Sequence, residues 1–390
     1  MSQSMRVIIC TDGPEEPKSK QNWALGAHLA ALKHDVCLVT EGRRRDLVGN
    51  WKGCRVETWP SRRPSGIRDG VFFWRLLRTF RPDVVTTNFF SFYLGISISF
   101  LQRIPCRVAW YRGLLEQSDL DFPKSKPKRM LKLAINRRLF RMATHHAPVS
   151  PAGLDDLIRH YGVSPDKCRI FHTCRADPQM VEACRVKPPT AYRHVVFVGR
   201  LHYSKGQDIL LHALKKLGDA WPDLPVKVTL VGGGPEEANY RRLARELGVD
   251  EQVYFTGRIP NSEVFHHLEA AHLMVVPVRS EIGPGVIPEA LGMGLPVVVS
   301  SCGGMPSLLG DSPAVQFVPP VDADALADAI GEILSDEPRR LAMAAEARRL
   351  FLAKFNLDHW INGVADWLVE ISEASRRPGL VKSRAIPVAP

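Results

Sequence analysis

Short apolar runs alternate with segments in which apolar residues recur every three or four positions. The strands predicted in the first half are RVIICTD (6–12), DVCLVTE (35–41), PDVVTTN (82–88) and CRVAWYRG (106–113). The helices predicted between and after them are residues 22–33, 70–80, 89–101 and 128–143. Alternation of this kind is typical of a parallel sheet with helices on both faces.

The pattern starts again after a segment with paired prolines, ACRVKPPTAYRH (183–194), which favours a linker. The later strands are predicted at 195–200, 226–234, 252–258, 273–278 and 295–300. The later helices are predicted at 206–217, 237–248, 261–271 with Asn261 as N-cap, 322–336, 338–355 and 357–372. The predicted fold class is therefore α/β, with two doubly wound parallel-sheet, Rossmann-like domains that face a central cleft.

The length of 390 residues also favours two domains. We expect a first domain at residues 1–187 and a second at 188–355. A C-terminal helix follows at 356–372, and the Ser-, Arg- and Pro-containing tail at 373–390 is predicted to be disordered.

Hydropathy and cysteine usage predict a cytoplasmic protein. The longest apolar run, FFSFYLGISISFL (89–101), is shorter than the roughly 20 residues of a spanning helix, so a buried helix is expected. Residues 1–12 lack the pattern of a secretory leader. The eight cysteines contain no Cys-x-x-Cys pair, which favours reduced thiols over disulfides or a zinc site.

The net charge of +11 is concentrated in one region. Residues 41–142 contain 22 Lys and Arg against 8 Asp and Glu, whereas the rest of the chain has 30 against 33. The candidate partners are an anionic membrane surface at the inner face, an anionic acceptor, or nucleic acid, and a solvated basic face is an equal alternative. No nucleic-acid recognition motif accompanies the charge, so nucleic acid is not expected.

The basic helix predicted at 128–143 carries an apolar stripe of Leu131, Ile135, Leu139 and Met142. This stripe predicts a helix packed on the core with a basic outer face, in preference to one inserted in a membrane.

Three loops at carboxyl ends of predicted strands carry the candidate chemistry. They are GRLHYSKG (199–206), VGGGPE (231–236) and SEIGPGVIPEALGMG (280–294). Each loop alone is weak evidence for a ligand site, because glycines after strands and exposed cations are common. Together, two cations suit a diphosphate, glycines let backbone amides approach its oxygens, and two carboxylates can accept hydrogen bonds from ribose and sugar hydroxyls.

These loops resemble the Glu-x7-Glu signature of retaining glycosyltransferases of family 4, which have the GT-B fold. VYFTGRI and GGMP stand in the same order as in that family, and the resemblance covers about residues 195–372 well and the first half more loosely. Four features depart from the family pattern: Ile-Gly-Pro after Glu281, a single Gly13 in the first loop, Arg112 in YRG, and CRAD at 174–177. We expect all but the first of these departures to lie on or near the acceptor side.

The resemblance implies catalytic roles for Arg200 and Lys205, at the donor diphosphate, and for Glu281, at the donor sugar. Its implied donor-binding residues are Gly233, Arg258, Ile259, Gly283, Pro284, Gly285, Val286 and Glu289, with Glu289 on the ribose. Acceptor-side candidates are Gly13, Arg112 and Glu116, although a surface ion pair between the last two is an equal alternative. The final helix would cross back to the first domain.

No metal or cofactor is expected, because the resemblance implies that protein cations neutralise the leaving group. Adjacent histidines at 145–146 and 266–267 are expected to point to different faces of helices, and DLD (119–121) and DAD (322–324) are interpreted as chance acidic pairs.

The predicted function is metal-independent, retaining, hexosyltransferase-type transfer of a sugar from a UDP- or GDP-linked donor to an acceptor hydroxyl. Lipid-linked and polysaccharide precursors are the candidate acceptors. Two alternatives remain: a nucleotide-sugar-binding regulatory subunit without transfer activity, and a nucleotide-sugar epimerase on the same fold.

Overall fold

The computed structural model of the protein describes residues 4–14, 19–42, 44–178, 191–283 and 285–376, without the side chains of Arg45 and Phe89. Its contacts divide the chain into two compact units. The first unit is Met1–Arg112, Lys124–His172 and Leu357–Pro390, and the second is Gly113–Pro123 and Thr173–Asn356. The predicted boundary at 187–188 lies outside the described residues.

The first unit contains one sheet with the order β3-β4-β2-β1-β5-β6-β7. Its strands are β1 (Arg6–Cys10), β2 (Asp35–Thr40), β3 (Gly49–Trp51), β4 (Cys54–Thr58), β5 (Val84–Thr87), β6 (Cys106–Tyr111) and β7 (His145–Pro148). Its helices are α1 (Lys20–Ala31), α2 (Ile67–Phe80), α3 (Phe92–Leu101), α5 (Lys126–Met142), α6 (Pro151–Asp156) and α14 (Leu357–Arg376). All pairs are parallel except the edge pair β3–β4.

Helix α2 shows how local sequence fixes an element of this unit. Its apolar face buries Phe73, Leu76 and Leu77. Asp69 in its first turn is buried, and its carboxylate accepts hydrogen bonds from the backbone N–H groups of Ser61 (2.9 Å), Ser65 (3.0 Å) and Gly66 (3.1 Å). The three donor residues are exposed, but their hydrogen bonds converge on one buried carboxylate, so Asp69 stabilises both the helix start and the preceding loop.

Replacing Asp69 with Ala should therefore destabilise the first unit by about 1.5 to 3 kcal/mol, since it removes the charge-assisted hydrogen bonds that hold the loop and the helix start. Burial raises the pKa of Asp69, but the backbone N–H donors lower it and the net shift is downward from 3.8. The wild-type contribution should be complete above pH 3.8 and be lost as the pH falls through the lowered value. Urea unfolding of Asp69→Ala and wild type at several pH values checks both statements; equal stability at neutral pH would contradict them.

Helix α14 returns to the first unit after the second unit is complete. Trp360 lies 5.6 Å from Trp110 of β6, measured between ring centroids. Near its other end, Arg376 pairs with Asp83 at 2.7 Å. The helix continues four residues beyond the predicted end at 372, and residues 377–390 of the predicted tail lie outside the described residues.

The second unit contains a parallel sheet with the order β10-β9-β8-β11-β12-β13. Its strands are β8 (Arg193–Val198), β9 (Val226–Val231), β10 (Val253–Gly257), β11 (Leu273–Val276), β12 (Val297–Ser300) and β13 (Val315–Val318). Its helices are α4 (Leu115–Asp121), α7 (Gln207–Ala220), α8 (Glu237–Glu246), α9 (Asn261–Ala270), α10 (Val286–Gly292), α11 (Met305–Leu309), α12 (Ala323–Ser335) and α13 (Glu337–Leu350).

Alternating strand residues divide the core of the second unit between the two faces of its sheet. Val195 and Phe197 of β8 join a cluster with apolar residues of α7 and α12. Val196, between them, joins the opposite cluster with residues of α9 and α10. Both faces are therefore covered, as the continuous apolar runs predicted.

Strand order reverses between β8 and β11. The chain proceeds from β8 outward to β9 and β10, then returns to add β11 on the other side of β8. Loops that leave the carboxyl ends of two such strands diverge and open a crevice, which is the usual ligand site of a doubly wound sheet. The loops that begin at residues 199 and 277 are the ones at this point.

Several local predictions were wrong or incomplete. Strands β3, β4, β7 and β13 and helices α4, α6 and α11 were not predicted. Asn261 is the first residue of α9, and Pro260 is its N-cap. In α5 only Leu139 and Phe140 are buried, while Leu131 and Ile135 are 63% and 45% exposed, so the core-packing prediction fails for the first half of this helix.

No helix within the described residues is both long enough and apolar enough to cross a membrane.

Candidate functional site

Lys205 and Glu281 meet at the crevice between β8 and β11. The Lys205 Nζ atom donates a hydrogen bond to Glu281 Oε2, and the two side chains are only 16% and 9% exposed. In a largely enclosed ion pair of this kind the two charges interact more strongly than in a surface pair. The structure thus brings together two of the three predicted catalytic residues.

The backbone around this pair requires glycine. Gly206 has φ 71°, and a Cβ there would lie 1.9 Å from the Pro277 carbonyl oxygen. The Ser204 carbonyl accepts from Arg279 N at 2.9 Å, and the Glu281 carbonyl accepts from Gly304 N at 2.7 Å. The two loops are therefore fastened to each other, and the GGMP segment holds Glu281 from the other side.

Arg279, two residues before Glu281, strengthens this fastening. Its guanidinium binds both carboxylate oxygens of Asp208, at 2.8 and 2.5 Å, and lies 4.0 Å from the centroid of the Tyr203 ring. Burial alone would lower the pKa of Arg279, but Asp208 raises it. Neither Arg279 nor Asp208 was predicted from the sequence as a site residue.

Arg200 contacts a carboxylate that was interpreted as a chance feature. Asp121 Oδ2 lies 3.3 Å from Arg200 Nη2, and Asp121 Oδ1 accepts from Ser204 Oγ at 2.6 Å. Burial and the charge of Arg200 lower the pKa of His202, whose Nδ1 accepts from Ser204 N at 3.3 Å. A neutral His202 leaves Arg200 as the cation that balances Asp121. Helix α4 thereby docks on the same loop as Lys205.

Cys302 lies near the Lys205–Glu281 pair but is a poor candidate nucleophile. Its thiol donates to the Val278 carbonyl at 3.1 Å. Burial, together with the negative charges of Glu116 and Glu281, raises the pKa of the thiol to about 11. The thiol therefore stays protonated at neutral pH, and this side chain offers no covalent route.

Glu289 is buried on α10 and pairs with an arginine from the CRAD segment. Arg175 Nε donates to Glu289 Oε1 at 2.7 Å, with the side chains 12% and 7% exposed. The CRAD segment was expected on the acceptor side, but the structure places it in the second unit beside α10. The expectation was wrong because the pairing of two residues 114 positions apart cannot be inferred from local sequence pattern.

The remaining donor-side candidates lie on neighbouring loops of the second unit. Gly233 follows β9, and a Cβ there would lie 3.4 Å from the backbone N of Arg258 after β10. Arg258 is exposed, and Ile259 packs against the core cluster behind α10. Gly283 and Val286 flank the start of α10 with Gly285, whereas Pro284 lies outside the described residues.

The three acceptor-side candidates do not share one unit. Gly13 and Arg112 belong to the first unit, where the Arg112 guanidinium lies 2.6 Å from the Gln21 side-chain oxygen when the amide is oriented toward it. Glu116 belongs to the second unit, where its Oε2 accepts from Ser280 Oγ at 2.9 Å. Glu116, on α4, therefore lies beside the loop that carries Glu281.

The part of the chain that the structure describes contains no group of three or more His, Cys, Asp or Glu side chains placed to hold a metal ion. His145 and His146 lie on strand β7, not on a helix as assumed. Burial lowers the pKa of His145 to about 4 and of His146 to about 3, so both are neutral at pH 7.

Comparison with known families agrees with this geometry. A model described as "Glycosyl transferases group 1" matches residues 185–350, and one described as "Glycosyl transferase 4-like domain" matches residues 20–174. The chain belongs to the family 4 glycosyltransferases. The resemblance drawn from the sequence is thereby confirmed.

Two curated relatives are named for inositol-containing substrates. D-inositol 3-phosphate glycosyltransferase of Corynebacterium aurimucosum is 34% identical over 206 residues, 49% of this chain and 49% of that protein. GDP-mannose-dependent alpha-(1-6)-phosphatidylinositol monomannoside mannosyltransferase of Mycolicibacterium smegmatis is 36% identical over 174 residues, 43% and 44% of the two chains. The chain thus spans about half the length of the curated relatives it matches.

Solved structures extend the similarity over nearly the whole chain. Sucrose-phosphate synthase from Thermosynechococcus elongatus has a TM-score of 0.78 at 21% identity, covering 95% of this chain and 100% of that one. Anabaena HepE in complex with UDP has a TM-score of 0.72 at 19% identity, covering 94% and 100%. These likenesses show the fold, and the predicted class of two parallel-sheet α/β domains with the GT-B fold is confirmed.

Proposed function

We propose that this family 4 glycosyltransferase transfers a hexose from a nucleotide diphosphate donor to an acceptor hydroxyl with retention of configuration, and without a metal or cofactor. The observation that carries this proposal is the meeting of Lys205 and Glu281 at the strand-order reversal, with Arg200 on the same loop. GDP and UDP are the candidate nucleotides, since relatives and neighbours carry them in their names.

Cations of the chain stabilise the departing diphosphate in this proposal. As the bond between the anomeric carbon and the diphosphate oxygen breaks, negative charge accumulates on the phosphates. Lys205 and Arg200 are positioned before the reaction by carboxylate partners, Glu281 and Asp121 respectively. A diphosphate that enters competes with these carboxylates for the two cations.

The two glutamates have different tasks. Glu281 pairs with Lys205 at the strand end, where the transferred sugar would lie, and its hydrogen bonds to sugar hydroxyls matter as charge develops. Glu289 lies eight residues later on α10, where it would accept hydrogen bonds from the ribose diol. Binding of nucleotide and turnover of sugar thus depend on different carboxylates.

The proposed acceptor is a hydroxyl of a lipid-linked or other anionic precursor. Relatives named for inositol phosphate and phosphatidylinositol substrates support this class, as does the basic region 41–142. The residues proposed to face the acceptor are Gly13, Arg112 and Glu116.

Released nucleoside diphosphate, measured for a panel of UDP- and GDP-sugars with and without inositol phosphates and lipid extracts, tests the proposal. We expect release that requires one donor and one acceptor class. Binding without release would instead favour a regulatory subunit, and interconversion of the sugar without an acceptor would favour an epimerase.

The acceptor proposal includes binding at the anionic inner membrane face by a cytoplasmic, peripheral protein. Helix α5 carries seven Lys and Arg and no Asp or Glu, and Met130, Leu131 and Ile135 are exposed on it. Helix α3 packs against both α5 and α2, and α2 exposes Ile67, Val71 and Trp74. Adjacent helices of the first unit therefore combine exposed apolar side chains with positive charge, which suits an interface rich in anionic lipid.

Replacing Lys126, Lys128 and Arg138 with Ala should weaken binding to phosphatidylserine-containing vesicles by about 3 kcal/mol, since each cation contributes about 1 kcal/mol near such a surface. Wild-type binding should also fall steeply with salt. The matched control replaces three exposed cations of the second unit, Lys215, Lys216 and Arg242. Equal sedimentation with neutral and anionic vesicles, or equal loss in both variants, would contradict membrane binding by α5.

A further inference from the structure

One face of α10 is covered by the segment at 174–178. Gly285, Glu289 and Gly292 are four and three residues apart and so lie on the same side of the helix. A Cβ on Gly285 would lie 2.0 Å from Arg175 Nη2, and one on Gly292 would lie 2.9 Å from the Pro178 ring. The two glycines provide the space in which Arg175 reaches Glu289.

The segment that presents Arg175 is itself held firmly in the second unit. Arg175 N donates to the Phe355 carbonyl at 2.9 Å, and Arg175 forms a parallel bridge with Asn356. Two residues on, Asp177 binds Arg348 through two hydrogen bonds of 2.7 and 2.6 Å. The Arg175 side chain therefore starts from a fixed backbone, and its Nη1 donates to the Cys174 carbonyl at 3.1 Å.

Arg175 uses one oxygen of Glu289 and leaves the other for a ligand. Within the described residues, the Glu289 carboxylate accepts one side-chain hydrogen bond, from Arg175 Nε to Oε1. Burying a carboxylate without a partner costs free energy. An unpaired Glu289 side chain would therefore adopt any rotamer that brings it to water or to another donor. The guanidinium balances the charge and holds Oε1, which limits the directions in which Oε2 can point.

We infer that Arg175 is a positioning residue that orients Glu289 to bind the donor ribose. The inference rests on the proposed function, since it assumes that Glu289 accepts from the ribose diol. In this inference Arg175 acts through Glu289 and not by touching the nucleotide itself. Loss of Arg175 should therefore affect only ligands that carry ribose hydroxyls.

Calorimetric titration with UDP and GDP, and with their 2′,3′-dideoxy analogues, tests this inference. Arg175→Ala should raise the Kd of the nucleotide that binds wild type by about tenfold. This is the effect of losing one charge-assisted hydrogen bond between Glu289 and the ribose. The Kd of the dideoxy analogue should change by less than about twofold, within the range of neutral substitutions. Adding Arg175→Ala to Glu289→Ala should change neither Kd further, because the partner is already absent.

Arg348→Ala is the matched control, because it releases the same segment from Asp177 without removing the guanidinium on Glu289. It should leave the preference for ribose hydroxyls intact. Arg175→Gln, which keeps a side-chain N–H donor, should give an intermediate Kd and serves if the alanine variant unfolds. Equal losses for the ribose and dideoxy ligands, or additive losses in the double variant, would overturn the inference. Failure of wild type to bind either UDP or GDP would overturn the proposed function itself.

Discussion

Replacing Lys205 with Ala should reduce kcat for sugar transfer by about 10²- to 10³-fold, the usual effect of removing one preorganised donor to developing negative charge. Lys205 is held in a largely enclosed ion pair with Glu281, so its charge is in place before the diphosphate begins to leave. The same variant should also weaken binding of the nucleoside diphosphate, because the cation meets the phosphates in the ground state as well. Steady-state turnover and calorimetry on the same preparation measure both effects.

Lys215→Ala is the control for this variant, since Lys215 is an exposed cation on α7 that pairs with Asp219 at 3.0 Å. It should leave turnover unchanged. The variant Lys205→Ala leaves Glu281 buried without its partner, so its melting temperature must be compared with that of wild type. Full turnover in a folded Lys205→Ala protein would contradict the assignment of the diphosphate to this crevice.

Replacing Glu281 with Ala should lower kcat by about 10²-fold, because its contacts to the sugar strengthen as positive charge develops at the anomeric carbon. The Kd of the bare nucleoside diphosphate should stay within about threefold of the wild-type value, less than the loss of one charge-assisted hydrogen bond. The ion pair explains why this value does not rise: Lys205 loses a competing carboxylate when Glu281 is removed.

Glu289→Ala provides the contrast, because it should weaken nucleoside diphosphate binding by about 1.5 to 3 kcal/mol. Turnover at saturating donor should fall less than in Glu281→Ala. Proportional losses of binding and turnover in both variants would show that the two carboxylates do not have separate roles in nucleotide binding and catalysis.

The sequence predicted five of the six strands of the second unit because these are mostly apolar runs bounded by glycine, proline or charged residues. It also pointed to Lys205 and Glu281, which the structure brings together, because both follow such runs at short spacing. Strand β13 was missed because VQFV, unlike the equally short β11 and β12, has a polar residue between its apolar ones, and β3 was missed because GNW is short and largely exposed. Short edge elements are fixed by their neighbours more than by their own pattern.

The partners of the site residues could not be predicted from local pattern. Asp121 reaches Arg200 across 79 residues, and Arg175 reaches Glu289 across 114. Both are single charged residues without periodic context, so only the fold reveals their pairing. The exposure of Leu131 on α5 was missed for a related reason: a helical stripe shows which residues share a face but not what covers it.

A crystal structure of the chain with bound UDP or GDP would show whether the donor nucleotide binds at the strand-order reversal of the second unit. We expect phosphate oxygens within about 3.2 Å of Lys205 Nζ and the Arg200 guanidinium, and ribose hydroxyls within about 3.2 Å of the Glu289 carboxylate. A nucleotide bound elsewhere on the chain, or one at this crevice that leaves Lys205 and Glu289 without contact, would contradict it.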